Sequence, residues 1–283
     1  MILVVGATGR LGGSIARALL DSGKAVRVLV RDGSAFDDAR AETMPGDLKD
    51  PDSLRQACEG VDIVVTTANA IAPRRAEDTI ESVDRLGNRN LIAASTSEGV
   101  RHFVFVSVLG ASADHVVPFV RAKGETEREL RESGLSWTIL QPDAFMDVWF
   151  PFIIGPALEG RAVTLVGEGK QRHSMVAMQD VVRYAMAAVE QKEAANSVLA
   201  IGGEPVTWRD VIDTFSEVLG REIPVQTVPP GEPVPGLPDF VAELLASLEL
   251  YESPLDMSEH SRTFGVKTTS LHDFVRGFVA AET

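Results

Sequence analysis

The 283-residue chain is poor in cysteine, in tyrosine and in long apolar runs. Its one cysteine, Cys58, excludes an intramolecular disulfide and a thiolate metal cluster. It follows Leu54 at helical spacing and reads as a small core hydrophobe. His102, His115, His173, His260 and His272 lie far apart, with no pair at ligand spacing, so no metal site is expected. No stretch approaches about 18 consecutive apolar residues, so none is expected to span a membrane. Base is scarce beside acid: 27 Lys and Arg against 41 Asp and Glu give a formal net charge of −14. That balance argues against sequence-independent nucleic-acid binding, which depends on cations neutralising phosphates. The first five residues already read as a strand, so no cleaved leader is expected. The expectation is a reduced, cytoplasmic protein whose partner is a small molecule.

Glycine is well placed where it occurs. The apolar run Met1–Val5 leads into Gly6-Ala7-Thr8-Gly9-Arg10-Leu11-Gly12-Gly13, and then into Ser14–Leu20, where Ile15, Ala18 and Leu19 share one helix face. A glycine-rich turn between a buried strand and a helix start suits a pyrophosphate. Gly6 permits the tight turn, Gly9 lets the backbone approach the phosphates, and Gly12 lets helix and strand pack closely. Helix-start N–H groups and the positive end of the helix dipole face the anion. Gly6, Thr8, Gly9, Arg10, Leu11 and Gly12 are therefore candidate cofactor contacts.

Strands and helices alternate through the first 142 residues. β-rich runs stand at Val26–Val30, Glu42–Gly46, Val61–Thr66, Val100–Ser107 and Trp137–Leu140. Asp50-Pro51 signals a helix start, and helices are expected over 79–97 and 118–133. Such a pattern predicts an α/β fold with a Rossmann-type doubly wound parallel sheet. The grammar changes after Pro142. Residues 143–283 read as a smaller, helix-rich substrate region beside the 1–142 dinucleotide-binding domain, with about 174–203 returning to the sheet. Helices are expected over 175–190, 207–219, 239–250 and 270–281, and Pro229–Gly236 reads as a loop.

Several short motifs occur together. These are the Gly-x-x-Gly-x-x-Gly spacing, Gly46-Asp47-Leu48, Phe105-Val106-Ser107-Val108-Leu109-Gly110, Lys123 with Glu127, and Ser133-Gly134-Leu135-Ser136-Trp137-Thr138-Ile139-Leu140-Gln141-Pro142. In them the chain resembles the NmrA-like branch of the atypical short-chain dehydrogenases/reductases over nearly its whole length. That branch holds NAD(P)H:quinone oxidoreductases and isoflavone-reductase-like enzymes. The resemblance implies an NAD(P)H-dependent oxidoreductase, with a quinone or related conjugated hydride acceptor expected because the chain lacks the tyrosine that would protonate an alkoxide. Regulators in the same branch bind the cofactor without turnover, and this reading stays open.

Arg31 closes the second strand, where an acidic residue would favour NAD and an arginine can accept the 2′-phosphate of NADP. NADPH is therefore the expected cofactor, with Asp32 keeping NAD as the alternative. Asp47 and Leu48 match the family's adenine contacts, and Thr67, Ala68 and Asn69 end the fourth strand with small residues near the cofactor ribose. Lys123 is the catalytic candidate, expected to anchor the nicotinamide ribose; the competing reading is a surface lysine paired with Glu127. Where typical members carry a proton-donating tyrosine four residues before this lysine, the chain has Phe119. Phe119, Phe145, Met146 and Trp149 are candidate pocket residues for a flat apolar acceptor; the competing reading is core packing.

Overall fold

The computed structural model describes residues 1–71, 75–234, 237 and 239–282. Pro235 and Gly236, the end of the loop expected over 229–236, lie outside them. The chain divides into two compact units, Met1–Pro142 with Val181–Ala200, and Asp143–Asp180 with Ile201–Thr283.

The first unit runs β1 (Ile2–Val5), α1 (Arg10–Asp21), β2 (Val26–Val30), β3 (Glu42–Pro45), α2 (Pro51–Cys58) and β4 (Ile63–Thr66). A π-helical turn at Ile80–Arg85 precedes α3 (Leu86–Ser97), followed by β5 (His102–Val106), α4 (Pro118–Glu132) and β6 (Ser136–Pro142). The second unit holds α5 (Met146–Ile153), α6 (Gly155–Leu158) and β7 (Val163–Val166). The chain re-enters the first unit along α7 (Met178–Glu190) and β8 (Ser197–Ile201). It ends with α8 (Trp208–Leu219), β9 (Val225–Val228), α9 (Asp239–Leu248), α10 (Ser258–Phe264) and α11 (Leu271–Glu282).

Among the described residues the main sheet has seven strands in the order β3-β2-β1-β4-β5-β6-β8, parallel from β3 to β6. This is a Rossmann-like α/β fold. The central strands are apolar because helices cover both faces; β1 is buried at every residue. The edge strand β3 is mostly exposed and carries Glu42 and Pro45, residue types an edge tolerates. α2 starts as its sequence dictates: Asp50 caps it by accepting from the Asp52 N–H at 3.0 Å, and Pro51 takes the first helical position. Cys58 is fully buried, as its spacing implied, and burial pushes its thiol up to about 11.

The second unit packs around Phe150, whose ring meets Trp208, Phe215 and Phe274 edge-on at centroid distances of 6.1, 5.6 and 5.4 Å. The parallel pair β7–β9 was not legible in advance: each strand has four residues, and their partners, such as Val163 and Val225, stand far apart in the chain. α8 begins at a capping box of Thr207 and Asp210 and ends at Gly220 in the left-handed region.

The helix expected over 79–97 starts at its Thr79 cap but opens as a π-helical turn. It packs against α4, and Gly124 of α4 sits against the 112–113 backbone. A Cβ there would lie 2.2 Å from the Ser112 carbonyl carbon and 2.5 Å from the Ala113 nitrogen. Gly124→Ala is therefore expected to destabilise the protein by about 1–3 kcal/mol, although alanine is favoured in helices by about 1 kcal/mol. A lower midpoint in urea unfolding is the expected result.

Candidate functional site

The sheet order reverses direction between β1 and β4, and the carboxyl ends of these two strands flank the crevice where ligands of such sheets bind. The two loops there are in close contact. Gly6 has φ +91°, and a Cβ on it would lie 2.7 Å from Thr67 Oγ1 and 3.0 Å from the Ala68 nitrogen. A Cβ on Gly12 would lie 2.4 Å from the Gly6 carbonyl oxygen and 2.6 Å from Thr67 Oγ1. These two glycines are required by the protein's own packing. Gly9 differs: its added Cβ would meet the Gly6 carbonyl oxygen at 3.2 Å and otherwise open space. Its added Cβ is thus less tightly confined by the described residues than those on Gly6 and Gly12.

Gly9 is also the N-cap of α1, and it makes no side-chain capping hydrogen bond; no acidic residue stands in the first turn. By contrast α2 and α8 carry Asp50 and Thr207 as caps, with an acidic residue in the first turn of each. The positive end of α1 therefore meets no capping side chain and no first-turn carboxylate of its own. Thr8 and Leu11 are half-buried in this turn and Arg10 is exposed.

At the carboxyl ends of β2 and β3 lies a cavity of about 170 Å³ lined by Arg31, Asp32, Gly46, Asp47, Asp50 and Arg75. Asp78, buried, organises its cations: Oδ2 accepts from Arg31 Nη1 at 2.6 Å and Oδ1 from Lys49 Nζ at 2.6 Å. Burial works against ionisation of Asp78, yet the hydrogen bonds from Lys49 and Arg31 hold its carboxyl below the usual carboxylate range. The same bond to Asp78 raises Lys49 above its ordinary value. Arg75 donates to the Asp32 carbonyl oxygen. The rim therefore offers guanidinium groups to a phosphate and carboxylates to hydroxyl or amine donors. Asp47 is half-buried beside it, whereas the Leu48 side chain packs in the core, under Gly87.

Lys123 is no surface residue. It is 2 % exposed, and Glu127, its partner in the competing reading, is engaged by Ser107 at 2.6 Å, Gln141 at 2.7 Å and Arg131 at 2.9 Å. Its ammonium lies 3.4 Å from Asp84 Oδ1, 3.5 Å from the Ala68 carbonyl oxygen and 3.4 Å from that of Val106. The rings of Phe105 and Phe119 face it at 5.0 and 5.4 Å. Burial pulls Lys123 below the ordinary lysine range and lifts Asp84 above the ordinary carboxylate range, each partly offset by the other's charge. Ala68, in contact with Gly6 and with Lys123, links the glycine turn to this end of the first unit. Asn69 is exposed, its Nδ2 donating to the Thr67 carbonyl oxygen at 3.3 Å.

The remaining pocket candidates belong to the second unit. Met146 is 2 % exposed within that unit's core, Trp149 packs on the core, and Phe145 is half-buried. Among the described residues no group of His, Cys, Asp or Glu could hold a metal ion, and no helix is long and apolar enough to cross a membrane. Asp84, Asp78 and Lys49 escaped the sequence reading. Asp84 had a signal: with Ile80, Val83, Gly87, Asn88 and Leu91 it falls on the inner face of its helix, where a carboxylate needs a partner. Asp78 and Lys49 stand in loops with no such pattern.

The profile of the NAD(P)H-binding family matches residues 6–192. The Photosystem II assembly factor Ycf39 of Synechocystis is 33% identical over 235 residues, 81% of this chain and 70% of that protein. An NAD(P)H azoreductase of Xenophilus azovorans is 30% identical over 227 residues, 79% of this chain and 75% of that protein. The solved NADPH-dependent quinone oxidoreductase of Escherichia coli, complexed with NADPH, has a TM-score of 0.82 at 22% identity, covering 98% of this chain and 99% of that one. This last likeness is one of fold.

The two kinds of glycine should separate on substitution. Gly12→Ala is expected to lower the unfolding midpoint, at a cost of about 1–3 kcal/mol. Gly9→Val is expected to leave the fold intact and to weaken dinucleotide binding at least tenfold, read by calorimetric titration. A Gly9→Val protein that binds normally would overturn the assignment of this turn.

Proposed function

The chain belongs to the NAD(P)H-binding family, and on that premise we propose that it is an NAD(P)H-dependent reductase of a quinone or related conjugated acceptor. The observation that carries the substrate class is the pair of rings at the Lys123 ammonium. Both are phenylalanines, Phe105 and Phe119, so neither supplies a proton. Tyr184 is fully buried in α7, and Tyr251 lies in the second unit against His173. Hydride addition to a simple ketone develops an alkoxide with a basicity near that of hydroxide, about 15.7. Addition to a quinone develops a phenolate, with a pKa of about 10. The difference of roughly six units, at about 1.36 kcal/mol each, is on the order of 8 kcal/mol less basicity to quench. Such an acceptor needs no dedicated acid in the site.

The cofactor, when bound, supplies the hydride. In this reading the Gly6–Gly12 turn and the start of α1 hold its pyrophosphate, and the Arg31–Asp47 cavity holds its adenosine end. Lys123 anchors the nicotinamide ribose. Phe119 remains a candidate for contact with the acceptor, whereas Met146 and Trp149 pack in the core of the second unit, as the competing reading had it; we place the protein in the cytoplasm. A second reading, cofactor binding without turnover, is favoured by the likeness to the Ycf39 assembly factors.

NADPH oxidation with a panel of quinones and simple ketones tests the proposal. Turnover of a quinone but not of a ketone is expected, and Lys123→Ala is expected to slow it at least tenfold, because reacting atoms must be held about 3–3.5 Å apart. Tight NADPH binding with no oxidation of any acceptor would transfer the conclusion to the second reading.

Cofactor choice has its own test. A charge-assisted hydrogen bond contributes about 1.5–3 kcal/mol, roughly 10- to 150-fold in affinity at about 1.4 kcal/mol per decade. NADPH is expected to bind tighter than NADH by that factor, and Arg31→Ala to erase the difference. Equal affinities in the unmutated chain would refute the preference.

A further inference from the structure

We propose that Asp84 is the positioning residue for Lys123: its carboxylate fixes the ammonium at the carboxyl ends of β4 and β5 and keeps the pair electrically neutral before any cofactor arrives. The inference rests on the reading that Lys123 marks the nicotinamide end of the site.

Four elements meet at this pair. Asp84 stands on the π-helical turn, and its own backbone carbonyl accepts from Asn88 Nδ2 at 3.0 Å and from Thr126 Oγ1 of α4 at 3.1 Å. Its Oδ2 accepts from the Ala70 N–H at 2.8 Å, which ties it to the loop after β4. Its Oδ1 is buried and accepts no other hydrogen bond, so the Lys123 ammonium at 3.4 Å is its one polar partner among the described residues. A carboxylate with no exposure at all would face a large desolvation cost without that cation.

The same holds in reverse. The three oxygens around Lys123 Nζ stand at 3.4–3.5 Å, longer than the roughly 2.7–2.9 Å of a charge-assisted hydrogen bond. Two are backbone carbonyls, and the aromatic faces contribute only quadrupoles. On α4 itself the nearest acid, Glu127, is committed to Ser107, Gln141 and Arg131. β5 presents the Phe105 ring and the Val106 carbonyl, and the loop after β4 presents the Ala68 carbonyl. Among the described residues Asp84 is thus the one carboxylate within ion-pair distance of the ammonium, while Glu127 acts on it only through space. It holds Lys123 in place and in its charged or proton-sharing state, while the long contacts leave the lysine hydrogens able to tighten onto ribose hydroxyls.

The test is a set of NADPH titrations, read by cofactor fluorescence, from pH 6 to pH 9. It uses the full chain, Asp84→Asn, Lys123→Met and the double variant. Without Asp84, the more distant Glu127 charge is all that opposes burial at Lys123, and the lysine should lose its proton within this range. The expected signature is a Kd that rises at least tenfold from pH 6 to pH 9 in Asp84→Asn only. The unmutated chain, Lys123→Met and the double variant should each change less than threefold. A flat Asp84→Asn profile, or a slope that survives in the double variant, would overturn the proposal.

Denaturant unfolding of the same four proteins separates this from the reading beneath it. Asp84→Asn and Lys123→Met are expected to be markedly non-additive, the double variant being more stable than the sum of the single losses implies. Additive losses overturn the role of Asp84. Coupled losses with an NADPH affinity indifferent to Lys123→Met overturn instead the placement of the nicotinamide end. Should Asp84→Asn fail to fold, the double variant is expected to recover folding, and its failure to do so would count against the pair.

Discussion

The seam between β1 and β4 has no room for a single methyl group. Gly6 and Gly12 are pressed against Thr67, and a Cβ would overlap the Thr67 hydroxyl from either glycine and the Gly6 carbonyl oxygen from Gly12. From that constraint the rest of the first unit follows. α1 must start where it does, directly behind β1, so its uncapped end opens at the point where the strand order reverses. The loop after β4 is pinned by the same contact, and through the Ala68 carbonyl and the Ala70 N–H it reaches the Lys123–Asp84 pair. One close approach therefore sets both a candidate anion site and the surroundings of a buried ammonium.

Much of this was legible in the residue pattern because it depends on local rules. Near-continuous apolar strands, the Asp50-Pro51 start, the Thr207 cap and the Gly220 stop each report a backbone requirement at the position where they stand. What escaped depends on distance in the chain. The β7–β9 pair joins two four-residue strands that no periodicity links. Lys123 was singled out as a site residue, and only the competing reading gave it a partner, four residues on along the same helix; its ion-pair partner lies instead on the π-helical turn. Helical spacing finds neighbours along an element; it is silent about which element packs across. The Arg31–Asp78–Lys49 cluster is the same case, assembled from three loops.

A buried carboxylate of the second unit is held differently from Asp84. Asp143 spends both oxygens on hydrogen bonds: Oδ1 accepts from the Ala144 N–H at 2.8 Å, and Oδ2 from the Ser174 N–H at 2.9 Å and Ser253 Oγ at 2.7 Å. His173 completes the cluster, with Nδ1 2.8 Å from Ser253 Oγ and Nε2 3.0 Å from the Leu248 carbonyl oxygen. Here the polar atoms are saturated and serve to join separate chain segments. Around Lys123 the contacts are long and one carboxylate oxygen has a single partner. The first arrangement ties chain segments together through short bonds; the second holds its cation through long ones.

The discontinuous division of the chain also bears on how the protein is made. β8, which covers the edge of β6, is encoded after an excursion of about 55 residues that belongs mostly to the other unit, and at ribosomal rates of roughly 5–20 residues per second this takes about 3–11 s. Throughout that interval the nascent sheet presents β6 as a bare edge of unpaired N–H and C=O groups, the template on which strands of other chains can add. The interval between synthesis of β6 and of β8 is therefore one in which the open edge of β6 is exposed to strand addition, whatever the stability of the finished fold.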